Sequence, residues 1–155
     1  MKTEKEIEKL FRKYKNVLIL KLGKIPLTTD MIDKECRNLF GIKFIGTYAY
    51  DENFPIKNNK YYIINTDSKN SSGEHWISII TKPTRVYVYD SFARNPKKLI
   101  PLLTKKFKNK KIIFDLKDAE QIPIVNGKQT IVCGHNCIAF LRIAHELGIR
   151  SAMKI

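Results

Sequence analysis

The sequence predicts an α+β fold, in which a central mixed or antiparallel sheet is surrounded by helices. Strand-like and helix-like segments do not alternate regularly along the chain, as they would in a repeated β-α-β order. Two strand-like segments also flank Lys82-Pro83-Thr84, a hairpin connection typical of antiparallel strands. The chain has 155 residues, 43% of them hydrophobic, which is enough for one domain with its own core. We therefore expect a single domain spanning residues 1–155.

The first forty residues predict two helices with a short strand between them. Apolar residues at helical spacing in residues 3–14 indicate an amphipathic helix. The apolar run at residues 16–22 ends at a glycine and is typical of a strand. Thr28 or Thr29 can cap a second helix, which runs to about Leu39.

The middle of the chain is rich in β-branched and aromatic residues, the composition of strands. Four strands are predicted, at residues 43–50, 60–65, 75–81 and 85–90. The last two form the hairpin. Because the turn contains a proline, its position sets which residues of the two strands face each other.

A final helix is predicted to begin at Cys133, because apolar residues then recur at three- and four-residue steps until Gly148 ends the run. A helix N-terminus combines N–H groups without intrahelical acceptors and the positive end of the helix dipole, and both favour a thiolate over a thiol. Cys133 is therefore a candidate nucleophile. The alternative is that it is a small hydrophobe in the core, and we prefer that role for Cys137 and Cys36.

The hairpin supplies a candidate base for this nucleophile. If its turn centres near Lys82-Pro83, paired residues have numbers that sum to about 165, and His75 faces Asp90. An imidazole and a carboxylate at facing positions can hydrogen-bond, which would make His75 the general base and Asp90 the acid that orients it. The alternative is an ordinary ion pair on the surface.

The charge of the chain predicts a polyanionic partner. Lys and Arg number 29 against 15 Asp and Glu, a formal net charge of +14, so we expect salt-sensitive attraction to nucleic acid. The excess is concentrated in one run that contains Lys105, Lys106, Lys108, Lys110 and Lys111. Such a run is usually a solvated face, but because no acidic residues offset it locally we favour a phosphate-contacting patch.

Other features of the sequence argue against several classes of protein. No apolar run approaches the roughly 18 residues that span a bilayer, and the charged start of the chain does not match a signal peptide. Three cysteines are too few for a disulfide framework, and an odd number cannot all pair. Their spacing is not that of a zinc site. We expect a soluble protein of a reducing compartment, with no membrane partner and no metal.

Four groups of short motifs stand in a fixed order between about Thr28 and Leu147. They are Phe44-Ile45-Gly46-Thr47-Tyr48 with Asn53-Phe54-Pro55; Ile64-Asn65-Thr66 leading through Gly73 to His75-Trp76; Val88-Tyr89-Asp90-Ser91-Phe92; and Cys133-Gly134 with Cys137. In this order and spacing the chain resembles the adenovirus-type cysteine endopeptidases, the adenains, within the group that includes proteases specific for SUMO and ubiquitin-like proteins. Residues 27–155 then form the adenain-like core, and residues 1–26 an N-terminal extension.

The resemblance implies a papain-like cysteine protease of the adenain/ubiquitin-like-protease type. It makes Cys133 the nucleophile, His75 the general base and Asp90 the third member, where adenains carry a glutamate and many relatives an aspartate. Trp76 looks like the family's tryptophan after the histidine, for which core packing is an equal explanation. No metal or other cofactor is required for this chemistry.

The family also uses a glutamine before the cysteine as an oxyanion donor, and this sequence departs from that pattern. The adenain-like position holds Asn126, followed by Gly127, whereas Gln129 lies only four residues before the cysteine. We favour Asn126 as the oxyanion donor because of its position, and we keep Gln129 as the alternative because of its residue type. The remaining alternative is that this stretch is a turn and that the backbone N–H of Cys133 is the main donor.

The function that the resemblance implies is that of a viral or virus-like endopeptidase, which cleaves capsid or core precursor proteins during virion maturation. We expect a monomer in the virion or at the host-cell site of assembly, with DNA as an activating polyanion, as adenovirus enzymes use it. Two alternatives remain. One is an isopeptidase that processes ubiquitin-like modifiers, and the other is a basic nucleic-acid-binding protein with a degenerate active site.

Residues 1–26 precede the region of resemblance and need a separate account. Adenovirus proteases are completed by a separate viral peptide that binds along the sheet. Because a strand at residues 16–22 would be built into this chain, we expect residues 1–26 to pack as a helix plus an added strand and to replace such a peptide. The alternative is an ordinary extension that shields an apolar surface or contacts a partner.

Overall fold

The computed structural model describes residues 2–67, 75–91, 95–96, 100–114, 124–125, 128–129 and 131–155, with the main chain alone for 124–125 and 128–129. The elements in these ranges, in chain order, are α1 (Glu4–Leu22), α2 (Thr29–Phe40), a 3₁₀ turn (Gly41–Lys43), β1 (Phe44–Ala49), β2 (Tyr61–Asn65), β3 (Trp76–Thr81), β4 (Arg85–Tyr89), α3 (Pro101–Lys106), β5 (Lys111–Phe114), β6 (Ile124–Val125), β7 (Lys128–Gln129), α4 (Cys133–Leu147) and α5 (Ile149–Ala152). Helices and a mixed sheet agree with the predicted α+β class.

The main sheet has the strand order β1-β2-β3-β4-β5. Its two outer pairs are parallel and its two inner pairs antiparallel. Alternate residues of β2 point to opposite faces, so Tyr61 and Ile63 pack on one side and Tyr62 and Ile64 on the other. All four are buried, so the sheet is covered on both faces.

The two faces are covered by different elements. Helices α1, α2 and α4 cover the Tyr61 face, and Leu103 of α3 and Phe107 cover the Tyr62 face. The hydroxyl of Ser78 on β3 donates a hydrogen bond to the carbonyl of Cys137 on α4 at 3.1 Å. Helix α4 therefore lies directly against the strand that leads away from His75.

The predicted strand at residues 16–22 is wrong, because these residues continue α1. The buried residues of α1 are Ile7, Phe11, Tyr14 and Leu18, at four- and three-residue steps that pass through the predicted boundary. Leu20 is 88% exposed, so the apolar run does not form one buried segment. Residues 2–26 do pack on the body, but as a helix without an added strand. Activity without a separate peptide stays a prediction.

Helix α2 confirms its predicted boundaries, because its signals are local. The Thr28 hydroxyl accepts a hydrogen bond from the Met31 N–H at 3.2 Å, which caps the N-terminus. Gly41 occupies the C-terminal cap with a φ of 59°, a conformation that favours glycine. Strands β1 to β4 and helix α4 also lie within a residue of their predicted positions.

The register of the β3–β4 hairpin differs from the predicted one by two residues. Ser78 pairs with Tyr89, whereas a turn centred near Lys82-Pro83 would pair it with Tyr87. The Lys82 N–H donates to the Arg85 carbonyl at 2.8 Å, which makes Pro83 and Thr84 the two turn residues. Proline is suited to the first of the two turn residues, because its fixed φ matches the turn and its missing N–H is not needed for strand pairing there.

The sequence patterns do not predict α3 and β5, which overlap the two ends of the basic run. Both elements bury apolar residues between lysines: Leu103 and Phe107 are 0% and 2% exposed, and Ile112 is 7% exposed. The run is therefore partly structural. None of the helices in the described ranges is long and apolar enough to cross a membrane.

Candidate active site

Cys133 is the first residue of α4, the helix that packs against β3, the central strand of the sheet. Its side chain is buried, and the helix start lacks a capping side chain, because Val132 occupies the cap position. The backbone N–H groups of Trp76 and Gly134 help to lower the pKa of the Cys133 thiol. The start of β3 and the start of α4 therefore both supply backbone groups that stabilise the charged form of the thiol.

His75 and Asp90 lie at the end of the hairpin that is away from the turn. His75 precedes β3 and Asp90 follows β4, and both side chains are buried. Nε2 of His75 is 2.6 Å from Oδ1 of Asp90. In the observed register the two residues are diagonal neighbours rather than directly opposed, a separation that these side chains can bridge. The predicted pair is formed, but by a different alignment of the strands.

The side chain of Cys133 is the second group, after Asp90, that raises the pKa of the His75 imidazole. Because Nε2 is engaged with Asp90, we assign proton exchange with Cys133 to Nδ1. Burial lowers the pKa of His75, but the hydrogen bonds to Asp90 and Cys133 and the negative charge of Asp90 outweigh it and raise the pKa above its ordinary value. The structure thus brings together all three residues that the sequence analysis assigned to a triad.

The pKa of Cys133 shifts in the opposite direction from that of His75, and both shifts favour the charged form of the group. Burial raises the pKa of the thiol, but the hydrogen bond and positive charge of His75, together with the two backbone donors, lower it below its ordinary value. By contrast, burial raises the pKa of both Cys36 and Cys137 well above the ordinary value. The packing role expected for these two cysteines agrees with their complete burial.

Cys133 should therefore react selectively with an alkylating reagent. At pH 6, iodoacetamide should modify Cys133 at least about tenfold faster than Cys36 or Cys137, because only Cys133 has a lowered pKa and the alkylation rate follows the thiolate fraction. Peptide mapping of the labelled, native protein measures this directly. Equal labelling of Cys36 and Cys133 would contradict the assignment of the nucleophile.

The predicted oxyanion donors are not placed by the structure. Asn126 lies outside the described residues, and Gln129 is described in its main chain alone, at the end of β7. The backbone N–H of Cys133 at the start of α4 has no acceptor within its helix, as is general for the first helical residues. A side-chain donor at either position stays a prediction.

Two lysines of the predicted phosphate patch have structural contacts. The Lys106 ammonium donates to the Glu52 carbonyl at 2.7 Å and lies 4.4 Å from the centroid of the Phe54 ring. The Lys110 ammonium donates to Asn58 Oδ1 at 2.7 Å and to two carbonyls of the hairpin turn. These two side chains hold loops in place rather than facing solvent freely.

The other three lysines of that run are exposed and are the better candidates for phosphate contacts. If they contact DNA, replacing Lys105, Lys108 and Lys111 together with glutamine should reduce the slope of log Kd against log salt by about 2.7, because each lost phosphate contact on duplex DNA removes about 0.9. Fluorescence anisotropy with a labelled duplex at several salt concentrations measures the slope.

Three exposed lysines of α1, namely Lys5, Lys9 and Lys13, provide a control with the same change in net charge. Their replacement should change the slope less than that of the three lysines in the basic run. An equal change in both triple variants would mean that net charge alone attracts the DNA, and an unchanged slope in the first would exclude the proposed patch.

Two contacts beside the active site were not predicted from the sequence. The indole Nε1 of Trp76 donates to the carbonyl of Leu27 at 3.2 Å, and Nε2 of His135 donates to the carbonyl of Gly23 at 2.8 Å. His135 stands only two residues after Cys133, but its sequence position gives no sign of where the side chain points. Only the tertiary fold brings residues 23–28 to the site.

In the described part of the chain, no cluster of three or more His, Cys, Asp or Glu side chains is placed to hold a metal ion. Neither a family model nor a curated protein matches this chain.

Proposed function

We propose that this protein is a papain-like cysteine endopeptidase of the adenain type, which cleaves capsid or core precursor proteins of a virus or virus-like element. The observation that carries the proposal is the buried Cys133–His75–Asp90 arrangement, in which the pKa of the thiol is lowered and the pKa of the imidazole is raised. These opposite shifts favour a thiolate and an imidazolium, the pair of ions from which such catalysis begins. The viral substrate class rests on the resemblance of the motifs.

In the proposed mechanism the Cys133 thiolate attacks the scissile carbonyl and forms a tetrahedral intermediate. The imidazolium of His75 gives its Nδ1 proton to the leaving amine, and a thioester remains on Cys133. Neutral His75 then takes a proton from water, whose oxygen attacks the thioester and releases the carboxylate product together with the thiolate. Asp90 accepts the Nε2–H of His75 throughout, which fixes the tautomer and the ring orientation.

The oxyanion of each intermediate needs hydrogen-bond donors. The backbone N–H of Cys133 is one proposed donor, and Asn126 or Gln129 is the proposed side-chain donor. One donor of this kind typically accounts for about 10²–10³ in rate. DNA is proposed as an activating polyanion in the virion or at the site of assembly, bound by the exposed lysines of the basic run.

The pH dependence of turnover should reveal the role of Asp90. Because the hydrogen bond and charge of Asp90 raise the pKa of His75, Asp90→Asn should lower that pKa, and the imidazole then loses its proton at a lower pH. The alkaline limb of the kcat/KM profile should therefore move by about one unit toward acid pH. An alkaline limb that does not move would exclude Asp90 as the orienting residue.

Mapping of cleavage sites tests the proposed function. The purified chain is incubated with denatured virion or host proteins, and new N-termini are identified by mass spectrometry in parallel with a Cys133→Ala variant. New N-termini that share a local motif and are missing with the variant would support an endopeptidase. Identical patterns with both proteins would contradict it. Cleavage of only a ubiquitin-like C-terminal reporter would instead indicate an isopeptidase.

A further inference from the structure

The connector between α1 and α2, residues 23–28, contacts the active site at three points. The carbonyl of Gly23 accepts the hydrogen bond from Nε2 of His135, and the carbonyl of Leu27 accepts the hydrogen bond from the indole of Trp76. The side chain of Leu27 also lies so close to Gly134 that a Cβ on this glycine would be 3.1 Å from it. Each contact reaches a residue next to, or two positions from, His75 or Cys133.

Two of the three contacted residues are those that donate to the nucleophile. The backbone N–H groups of Trp76 and Gly134 are the two backbone groups that lower the pKa of the Cys133 thiol. Leu27 thus contacts both donor residues, through its carbonyl to Trp76 and through its side chain to Gly134. A displacement of Leu27 would be transmitted to both backbone donors of the sulfur, because hydrogen bonds weaken steeply when their geometry is disturbed.

His135 fixes the other end of the connector. Its side chain is fully buried, and no described group accepts from or donates to Nδ1. Because a carbonyl can only accept, Nε2 carries the proton that binds Gly23. Gly23 has a φ of 90°, which glycine adopts without strain, and its N–H donates to Ile19 at the end of α1. The hydrogen bond therefore joins the end of α1 to the first turn of α4.

We propose that the connector is a positioning element for the nucleophile, and that His135 and Trp76 are positioning residues through which it holds the Cys133 thiolate. This inference rests on the proposed function, since it concerns the same thiolate. His135 and Trp76 contribute no group to the reacting atoms through these side-chain contacts. They fix the start of α4 and the start of β3 against a common segment, and so keep the two N–H groups in place beside the sulfur.

Three substitutions test the connector. Trp76→Phe removes the indole donor and keeps an aromatic ring, and His135→Leu removes the imidazole donor. His135→Gln serves as the conservative variant, because a glutamine amide can donate to the Gly23 carbonyl. Tyr61→Phe is the matched control, because it removes a hydrogen bond of 3.0 Å to His145, at the opposite end of the same helix.

The measurement is the pH midpoint for alkylation of Cys133 by iodoacetamide, together with urea unfolding of each variant. We expect the midpoint to rise by about 0.5–1 unit in Trp76→Phe and in His135→Leu, as partial loss of hydrogen bonds to a thiolate predicts. His135→Gln should restore the wild-type midpoint, and Tyr61→Phe should leave it unchanged even where it lowers stability. If His135→Leu does not fold, the alkylation midpoint of Trp76→Phe alone tests the positioning role.

The outcomes separate the connector's role from the function itself. If the midpoint is low in the wild-type protein and does not change in Trp76→Phe and His135→Leu, the positioning role is overturned. The proposed function then still stands. An ordinary thiol midpoint in the wild-type protein would overturn the proposed function, and the positioning role with it. A shift of equal size in Tyr61→Phe would mean that the midpoint follows general stability, which also overturns the positioning role.

Discussion

Replacing His75 with alanine should lower kcat/KM for a cleaved peptide by about 10⁴-fold or more, because one side chain performs two tasks. It lowers the pKa of the Cys133 thiol, and in the proposed mechanism it supplies the proton that the leaving amine needs. Steady-state assays with a peptide derived from a mapped cleavage site measure the loss.

The same variant has a second readout that does not depend on the substrate. Without His75 the pKa of Cys133 should rise, because burial is then opposed only by the backbone donors, and alkylation of Cys133 at pH 6 should slow accordingly. His145→Ala is the control, since His145 lies on α4 far from the thiol and contacts Tyr61 instead. Retention of more than a tenth of the activity in His75→Ala would contradict the proposed mechanism.

Phe11→Ala should reduce the free energy of unfolding by about 3–5 kcal/mol, the usual cost of removing a buried aromatic side chain. Phe11 is 1% exposed, and its ring meets the ring of Tyr89 edge-on with centroids 6.2 Å apart. The substitution would leave a cavity between α1 and the sheet. Urea denaturation followed by circular dichroism measures the change.

Leu20→Ala is the matched control on the same helix. Leu20 is 88% exposed, so its loss should change the free energy of unfolding by no more than about 0.5 kcal/mol. If both variants lost the same stability, or if Phe11→Ala remained as stable as the wild-type protein, the packing of α1 on the body would be contradicted.

Elements with local signals could be predicted from the sequence, and those decided by tertiary contacts could not. Thr28 and Gly41 bound α2 through caps that lie in the sequence itself. The apolar run at residues 16–22 is compatible with either a strand or a helix, and only packing on α4 and the sheet makes it helical. The apolar residues of α3 and β5 are few and stand among the lysines in and around the basic run, so they give no clear pattern of a helix or a strand.

The candidate site divides in the same way. Residue type, motif order and the hairpin identified His75, Asp90 and Cys133. The predicted hairpin register was wrong by two residues, because a turn that contains proline can be centred at more than one position. His75 and Asp90 have side chains long enough to meet in either register. The contact between Gly23 and His135 joins positions 112 residues apart, and no local pattern can indicate such a pairing.

The division of the triad between the hairpin and α4 has a consequence for the order in which a newly made chain becomes active. His75 and Asp90 belong to one hairpin, but Cys133 belongs to α4, which packs against α1, α2 and β3. A ribosome that adds about 5–20 residues per second makes the hairpin seconds before it makes α4. During that interval a nascent chain carries a base and its orienting acid but no nucleophile. The proposed hydrolysis would begin only after α4 has left the ribosome and docked, and unfinished copies of such a protease would not cut the proteins being synthesised around them.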